Sequence, residues 1–232
     1  MFGIFYNNKQ IGQCMSFQRF LSFGGFFFVC VLIFKMSIID DAKTYMWYRH
    51  ITSSDYEFFT QFLTANFVHY SFMHMLLNIA GFIIIWYWIF GDYFNKAVPK
   101  FLAILLCCIS TTTYVYLFSN YNVYAGFSGV LHGLFAMACI GQVFIEKNYK
   151  WALPFAGLFL KIYVEYNYPN FTLSDLSQQL YGDSTKIDNY LISNTKTAFR
   201  VCTESHIGGT IGGVVAGIVG LVIKLFERST IK

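Results

Sequence analysis

Six apolar stretches limit what this chain can fold into. A transmembrane helix needs about 20 mainly apolar residues, within a range of roughly 17–25. Hydrophobic residues make up 56% of the chain and charged residues only 12%, whereas soluble domains carry about 25% charged residues. We therefore predict an all-α polytopic membrane protein with six transmembrane helices. The candidate spans are Phe20–Phe34, Met73–Phe90, Val98–Phe118, Ser128–Ile145, Trp151–Tyr163 and His206–Phe226.

The distribution of cations predicts how these helices are oriented. Cytoplasmic loops carry an excess of Lys and Arg. With the N-terminus inside, the short inner loops and the tails are denser in cations than the two long outer loops. We therefore expect a single membrane domain, residues 20–226, between cytoplasmic tails at residues 1–19 and 227–232. The first span has no small-residue cleavage site, so it is expected to stay as an anchor.

A serine and a histidine begin two glycine-lined spans. Ser128 lies in Gly126-Phe127-Ser128-Gly129, and His206 precedes Ile207-Gly208-Gly209. A serine hydroxyl acts as a nucleophile when a base lies within about 2.6–3.2 Å, and small residues let membrane helices approach closely. The small residues that share a face are Gly129, Gly133 and Ala136 on one helix and Gly209, Gly213, Gly217 and Gly220 on the other. The pattern predicts a Ser-His pair near the outer face, as in an intramembrane serine protease.

Two polar residues lie near the start of the second span. His74 and Asn78 are four positions apart, so they share one helix face. Polar side chains within a membrane usually face the protein interior, and two neutral donors directed at one point suit the oxyanion of a tetrahedral intermediate. The backbone N–H of Ser128 is a third candidate donor, because the first N–H groups of a helix have no intrahelical partner. The alternative is that both side chains only hold helices together.

The residue types that are missing narrow the chemistry. No Asp or Glu lies inside an apolar span, so we expect a Ser-His dyad without the acid of a triad. An aspartyl mechanism needs two carboxylates that share a site, and the His-Glu-x-x-His zinc motif is absent. The six cysteines have no paired spacing, so neither a metal site nor a disulfide framework is expected. No cofactor is expected either.

Three further residues each allow two interpretations. His132 follows Ser128 by four positions on the same face. It either stacks against His206 and aligns its ring or serves as an alternative base, and alignment is favoured because only one base is needed. Lys161 and Glu165 either form an ion pair four residues apart or contact substrate. Pairing is the favoured interpretation.

Three motifs, in order along the chain, resemble the signatures of the rhomboid family of intramembrane serine proteases. They are His69–Asn78 (HYSFMHMLLN), Gly126–Gly129 (GFSG) and His206–Gly213 (HIGGTIGG). The resemblance spans about Thr60 to Leu221 and implies a six-helix rhomboid-like bundle. It implies Ser128 as nucleophile, His206 as general base, and His74 with Asn78 as oxyanion donors. It also implies that His69 lies at the mouth of the site, and that the partners are the lipid bilayer and substrate proteins with transmembrane segments, with no nucleic acid.

Within that family, the chain is most similar to the rhombosortase branch. The similarity lies in Tyr124–Gly133 (YAGFSGVLHG) and Lys161–Glu165 (KIYVE). It implies a bacterial inner-membrane protease that cleaves the C-terminal tails of exported proteins, each tail having Gly-Gly, an apolar helix and a basic end. The chain departs from many rhomboids at Thr60-Gln61, where Trp-Arg is common, and at Ser205, where Ala is common. These departures bear on loop packing and leave the dyad unchanged.

Two alternatives from other classes remain. The first is an inactive rhomboid-like protein that binds and escorts transmembrane segments, against which the intact serine and histidines argue. The second is a metal or solute transporter lined by the four histidines at positions 69, 74, 132 and 206. The lack of intramembrane carboxylates and of cysteine ligands argues against it.

Overall fold

The computed structural model describes residues 28–33, 47–48, 61–69, 72–90, 97–120, 123–168 and 202–230. In the hydrocarbon layer every backbone N–H and C=O group must be bonded within the chain, so long apolar runs form helices. The labelled helices are α1 (Phe72–Ile84), α2 (Ala97–Phe118), α3 (Ser128–Ile140), α4 (Ala152–Asn167) and α5 (Thr203–Thr230). Residues 28–33 are also helical.

The apolar character of these helices confirms the prediction of an all-α polytopic membrane bundle. Within the described part of the chain, three helices are long and apolar enough to cross a membrane, namely Lys100–Phe118, Ser128–Ile145 and Thr203–Glu227. Met73–Ile89 is a shorter apolar helix. The protein is therefore a multi-pass membrane protein.

Most helix boundaries follow the predicted spans, but α4 and α5 run past their predicted ends. Helix α1 continues through a π-helical turn at Ile85–Ile89, and α3 continues through a second one at Gly141–Ile145. Helix α4 runs to Asn167, beyond its predicted end at Tyr163, and α5 runs to Thr230, into the predicted tail. Of the first span, only residues 28–33 are described, and the N-terminal tail lies outside the described residues.

Among the described helices, α3 and α5 form the closest backbone contact. A Cβ atom added at Gly209 would overlap the carbonyl oxygen of Gly129, and one added at Gly213 would overlap that of Gly133. Because the obstacle is backbone, no side-chain rotation could relieve it. The expected approach of the two small-residue faces is thus observed, and it brings the first turns of α3 and α5 together.

Two short strands join separate parts of the chain beside α3. Trp47–Tyr48 (β1) pairs antiparallel with Val123–Tyr124 (β2), with Trp47 opposite Tyr124. An all-α prediction does not include this pairing. It connects the segment before α1 to the chain that leads into Ser128.

Candidate active site

A buried aromatic residue fixes the start of α3. Phe127 is fully buried, and its ring centroid lies 5.5 Å from that of Phe67 and 5.6 Å from that of Phe82. Aromatic pairs at such distances attract each other beyond the area they bury. The packing of Phe127 therefore positions Ser128, the next residue, at the start of its helix.

Gly126 allows the turn that precedes Ser128. Its φ is 133°, a conformation that residues with a side chain rarely adopt. A Cβ atom there would also lie 2.9 Å from Cε1 of His74. The Gly126 N–H donates to the carbonyl of Ala65 at 2.9 Å, and its own carbonyl accepts from the Tyr124 hydroxyl at 2.7 Å. The turn is thus held on both sides, with the His74 ring against it.

Asn66 and Thr112 connect residues 61–69 to α2, and sequence reasoning missed both. Asn66 Nδ2 donates to Thr112 Oγ1 at 3.0 Å, and Thr112 Oγ1 donates to the Phe62 carbonyl at 2.8 Å. Both polar residues are fully buried. They join parts of the chain far apart in sequence, so no local spacing signals them.

Ser128 and His206 lie within hydrogen-bonding distance of each other. The Ser128 hydroxyl donates to His206 Nε2 at 3.2 Å. His206 lies in the first turn of α5 and is only 5% exposed. Two residues 78 positions apart meet here because the glycine faces of α3 and α5 let their first turns approach.

A carboxylate also reaches His206, so the expectation that no acid would be available was wrong. His206 Nδ1 donates to Glu165 Oε2 at 2.8 Å. Glu165 follows the predicted end of its span, but α4 continues to Asn167. The last turn of α4 therefore carries the acid to the level of the histidine.

The remaining polar groups form a cluster around the His206 ring. His132 stacks on it, with ring centroids 3.8 Å apart and planes inclined by 14°. His132 Nδ1 donates to the Ser128 carbonyl at 2.7 Å. The Lys161 ammonium donates to His132 Nε2 at 2.9 Å and to Glu165 Oε1 at 2.5 Å. Both favoured interpretations of these residues, ring stacking and ion pairing, agree with this geometry.

His74 and His69 lie against the turn that precedes Ser128, and Asn78 is one helical turn after His74 on α1. Asn78 is 5% exposed, and no hydrogen-bond acceptor among the described residues reaches its Nδ2. His69 packs edge-on against His74 at 4.9 Å and accepts a long hydrogen bond, 3.5 Å, from the Phe127 N–H. His69 is only 4% exposed, because it packs between the His74 ring and the turn before Ser128. Its expected place at the mouth of the site stays a prediction. Burial lowers the pKa of His69 to about 3 and keeps its ring neutral.

Comparison with known protein families gives a match over most of the chain. A family model described as the Rhomboid domain matches residues 56–223. The chain belongs to the rhomboid family. Its members are generally intramembrane serine proteases that act on transmembrane substrates, and the matched range contains all of the site residues described above. No solved structure matched the chain.

The rhomboid chain also brings together three residues whose side chains can bind metals. Ligand atoms of His132, Glu165 and His206 all lie within 4.8 Å of one another. However, the Lys161 ammonium already bonds His132 Nε2 and Glu165 Oε1, and His206 Nδ1 already donates to the same carboxylate. The Lys161 ammonium therefore occupies the position next to His132 Nε2 and Glu165 Oε1 that a metal ion would need.

Proposed function

We propose that this rhomboid protein is an active intramembrane serine protease, with Ser128 as nucleophile and His206 as general base. The observation that carries the proposal is the 3.2 Å contact between Ser128 Oγ and His206 Nε2. Because Nδ1 of the ring faces a carboxylate, Nδ1 holds the hydrogen and Nε2 presents its lone pair to the hydroxyl. A hydroxyl beside such a lone pair is activated for attack.

The proposed reaction needs only these groups and water. Ser128 Oγ attacks the scissile carbonyl carbon while its proton passes to His206 Nε2. The tetrahedral intermediate then collapses, the C–N bond breaks, and His206 returns the proton to the leaving amine. Water, deprotonated by the same nitrogen, attacks the acyl carbon. The bond from that carbon to Ser128 Oγ then breaks, and His206 returns the proton to Oγ.

We propose His74 and Asn78 as the donors that stabilise the oxyanion. A buried donor without an acceptor costs about 1–3 kcal/mol, and Asn78 Nδ2 is such a donor among the described residues. A negatively charged oxygen that forms at this point would remove that cost in the transition state. The His74 ring lies against Gly126, two residues before the nucleophile, which supports its place beside the same oxygen.

We propose that the substrates are tails of exported proteins with Gly-Gly before an apolar helix and a basic end, as in the rhombosortase branch. The protein would act in a bacterial inner membrane with both termini in the cytoplasm. The two motifs that resemble this branch contain His132, Lys161 and Glu165, and these three residues contact the Ser128–His206 pair or each other. The residues that carry the resemblance thus contact the proposed Ser128–His206 pair, which supports the proposal.

A covalent label tests the proposal directly. The full chain, in membranes and in detergent, is treated with a fluorophosphonate, which reacts with activated serines. Labelling of the wild type and of Ser229→Ala, an exposed serine elsewhere on α5, is expected, whereas Ser128→Ala and His206→Ala should not label. A Ser128→Ala protein that labels, or that still cleaves a tail substrate, would refute the assignment. A folded wild type that does not label would favour the inactive, segment-binding alternative.

A further inference from the structure

The polar groups around His206 form a closed ring of hydrogen bonds. Ser128 Oγ donates to His206, which donates to Glu165. On the other side, the carbonyl of the same serine accepts from His132 Nδ1. Lys161 closes the ring, because its ammonium donates both to His132 Nε2 and to Glu165 Oε1. The serine that begins the ring also ends it.

With His206 neutral, only one assignment of hydrogens satisfies this ring. A carbonyl can only accept, so His132 carries its hydrogen on Nδ1, and an ammonium can only donate, so His132 Nε2 is an acceptor. The carboxylate can only accept, which places the His206 hydrogen on Nδ1 and leaves Nε2 free to accept from the Ser128 hydroxyl. The other tautomer of His206 would point a nitrogen lone pair at a carboxylate oxygen 2.8 Å away.

We propose that Glu165 is a positioning residue that makes His206 competent as a base, with Lys161 holding Glu165 in place. This inference rests on the proposed function and extends the Ser-His pair to Ser128–His206–Glu165. Glu165 fixes the tautomer and orientation of the ring, and its negative charge stabilises the imidazolium that forms when Ser128 loses its proton. Glu165 itself stays ionised throughout.

The location of these residues explains why the acid needs a lysine. Both lie near the end of α4, whose residues are mostly exposed to the surroundings of the protein, with Leu158 as its buried residue. The Glu165 side chain is 23% exposed and that of Lys161 is 49% exposed. A lone carboxylate at the membrane boundary could turn towards water. Lys161 is one helical turn before Glu165, and their ion pair occupies Oε1 of the carboxylate. The other oxygen, Oε2, then accepts from His206.

The test measures nucleophile activation and cleavage in the same set of full-length variants. Glu165→Gln keeps the size of the side chain and removes its charge. In serine proteases, loss of the orienting acid lowers kcat by about 10⁴, and because Glu165 is partly exposed we expect a smaller loss of about 10² in both the labelling rate and kcat, with KM nearly unchanged. Glu165→Asp, which keeps the charge on a shorter side chain, should recover part of that rate. Lys161→Met should lose less, because the carboxylate remains.

Two further variants separate positioning from simple helix pairing. The double variant Lys161→Glu/Glu165→Lys preserves an ion pair on α4 but directs an ammonium at His206, so it should stay as slow as Glu165→Gln. Glu227→Gln, in the Lys224–Glu227 pair far along α5, should label at the wild-type rate. Thermal unfolding of each variant verifies its fold.

Specific outcomes would overturn the inference. Equal labelling rates for the wild type and Glu165→Gln would do so, as would equal rates for the Asp and Gln variants or recovery of activity in the charge-swapped double variant. A loss confined to KM would assign Glu165 to substrate binding. These results differ from failure of the proposed function, in which the wild type itself shows no labelling that depends on Ser128.

Discussion

The ring of His132 lies nearly parallel to the ring of His206, with centroids 3.8 Å apart and planes inclined by 14°. The contact follows from the sequence, because His132 is one helical turn after Ser128 and therefore shares its face. The flat contact limits how far the His206 ring can tilt about its bond to Glu165. The His132 ring thus constrains the face of the His206 ring, and the Glu165 carboxylate constrains its Nδ1 edge.

Replacing His132 should distinguish alignment from base catalysis. An aromatic contact of this kind is worth about 0.5–1.5 kcal/mol, which corresponds to about a two- to twelvefold change in rate. His132→Ala should therefore lower kcat by about that factor, and His132→Phe, which keeps a flat ring, should lose less. Loss of a general base would cost about 10²–10⁴ in rate. Equally inactive Ala and Phe variants with unchanged thermal stability would therefore identify His132 as the base.

The oxyanion donors should act on the transition state and not on substrate binding. Removal of one such donor costs about 10²–10³ in kcat in other serine proteases. We expect His74→Ala and Asn78→Ala to lower kcat by about 10–10³ each with little change in KM. Steady-state kinetics on a tail substrate give both quantities. An unchanged kcat in both variants would leave these residues with a purely structural role.

The contact between α3 and α5 should not tolerate a single methyl group. In Gly209→Ala the new Cβ would overlap the Gly129 carbonyl, so the two helices must separate. Overpacking of this kind costs about 1–3 kcal/mol. It would also pull His206 away from Ser128, so we expect a lower unfolding temperature in detergent together with reduced fluorophosphonate labelling.

Gly157 provides the matched control for that substitution. A Cβ atom added there meets no other atom within 4 Å, and alanine is favoured over glycine in a helix by about 1 kcal/mol. Gly157→Ala should therefore retain full labelling and unfold at an equal or higher temperature. If both variants behaved alike, the backbone contact between α3 and α5 would not be what positions the Ser128–His206 pair.

Several parts of the fold and of the candidate site could be predicted from local sequence. Long apolar runs must satisfy their backbone groups internally, so α2, α3 and α5 appear where mean hydropathy indicates them. The spacing of Gly129, Gly133, Gly209 and Gly213 likewise indicates two backbones in contact.

Other parts depend on information that the sequence pattern does not contain. The pairing of Lys161 with Glu165 follows from their spacing, but whether that helix face meets His206 depends on how α4 is rotated about its axis. The rule that carboxylates avoid apolar spans holds for Glu165, yet an acid two residues beyond the predicted span still reaches His206, because the helix continues to Asn167. The bond between Asn66 and Thr112 depends on tertiary packing alone.

Substrate choice should depend on how easily the substrate helix unwinds. A helix keeps its carbonyl groups in internal hydrogen bonds, so Ser128 can attack only an extended segment. Glycine lowers the cost of unwinding by about 1 kcal/mol per residue relative to alanine, and a Gly-Gly pair also presents no side chain to the packed histidines around Ser128. We therefore expect cleavage at or next to such a pair.

The test compares two fusion proteins that differ only at that pair. Each carries an exported reporter followed by Gly-Gly or Leu-Leu, the same apolar helix and the same basic end, and is incubated with the purified full-length protein. Two glycines lower the unwinding cost by about 2 kcal/mol relative to two alanines, and leucine is close to alanine in helix propensity. Because each 1.36 kcal/mol is a tenfold change in rate, the Gly-Gly tail should be cleaved about 30-fold faster than the Leu-Leu tail. An Ala-Ala tail, whose small side chains still favour the helix, should be cleaved about as slowly as the Leu-Leu tail. Equal cleavage of the Gly-Gly and Leu-Leu tails, with dependence on Ser128 retained, would refute the unwinding account while leaving the nucleophile assignment intact.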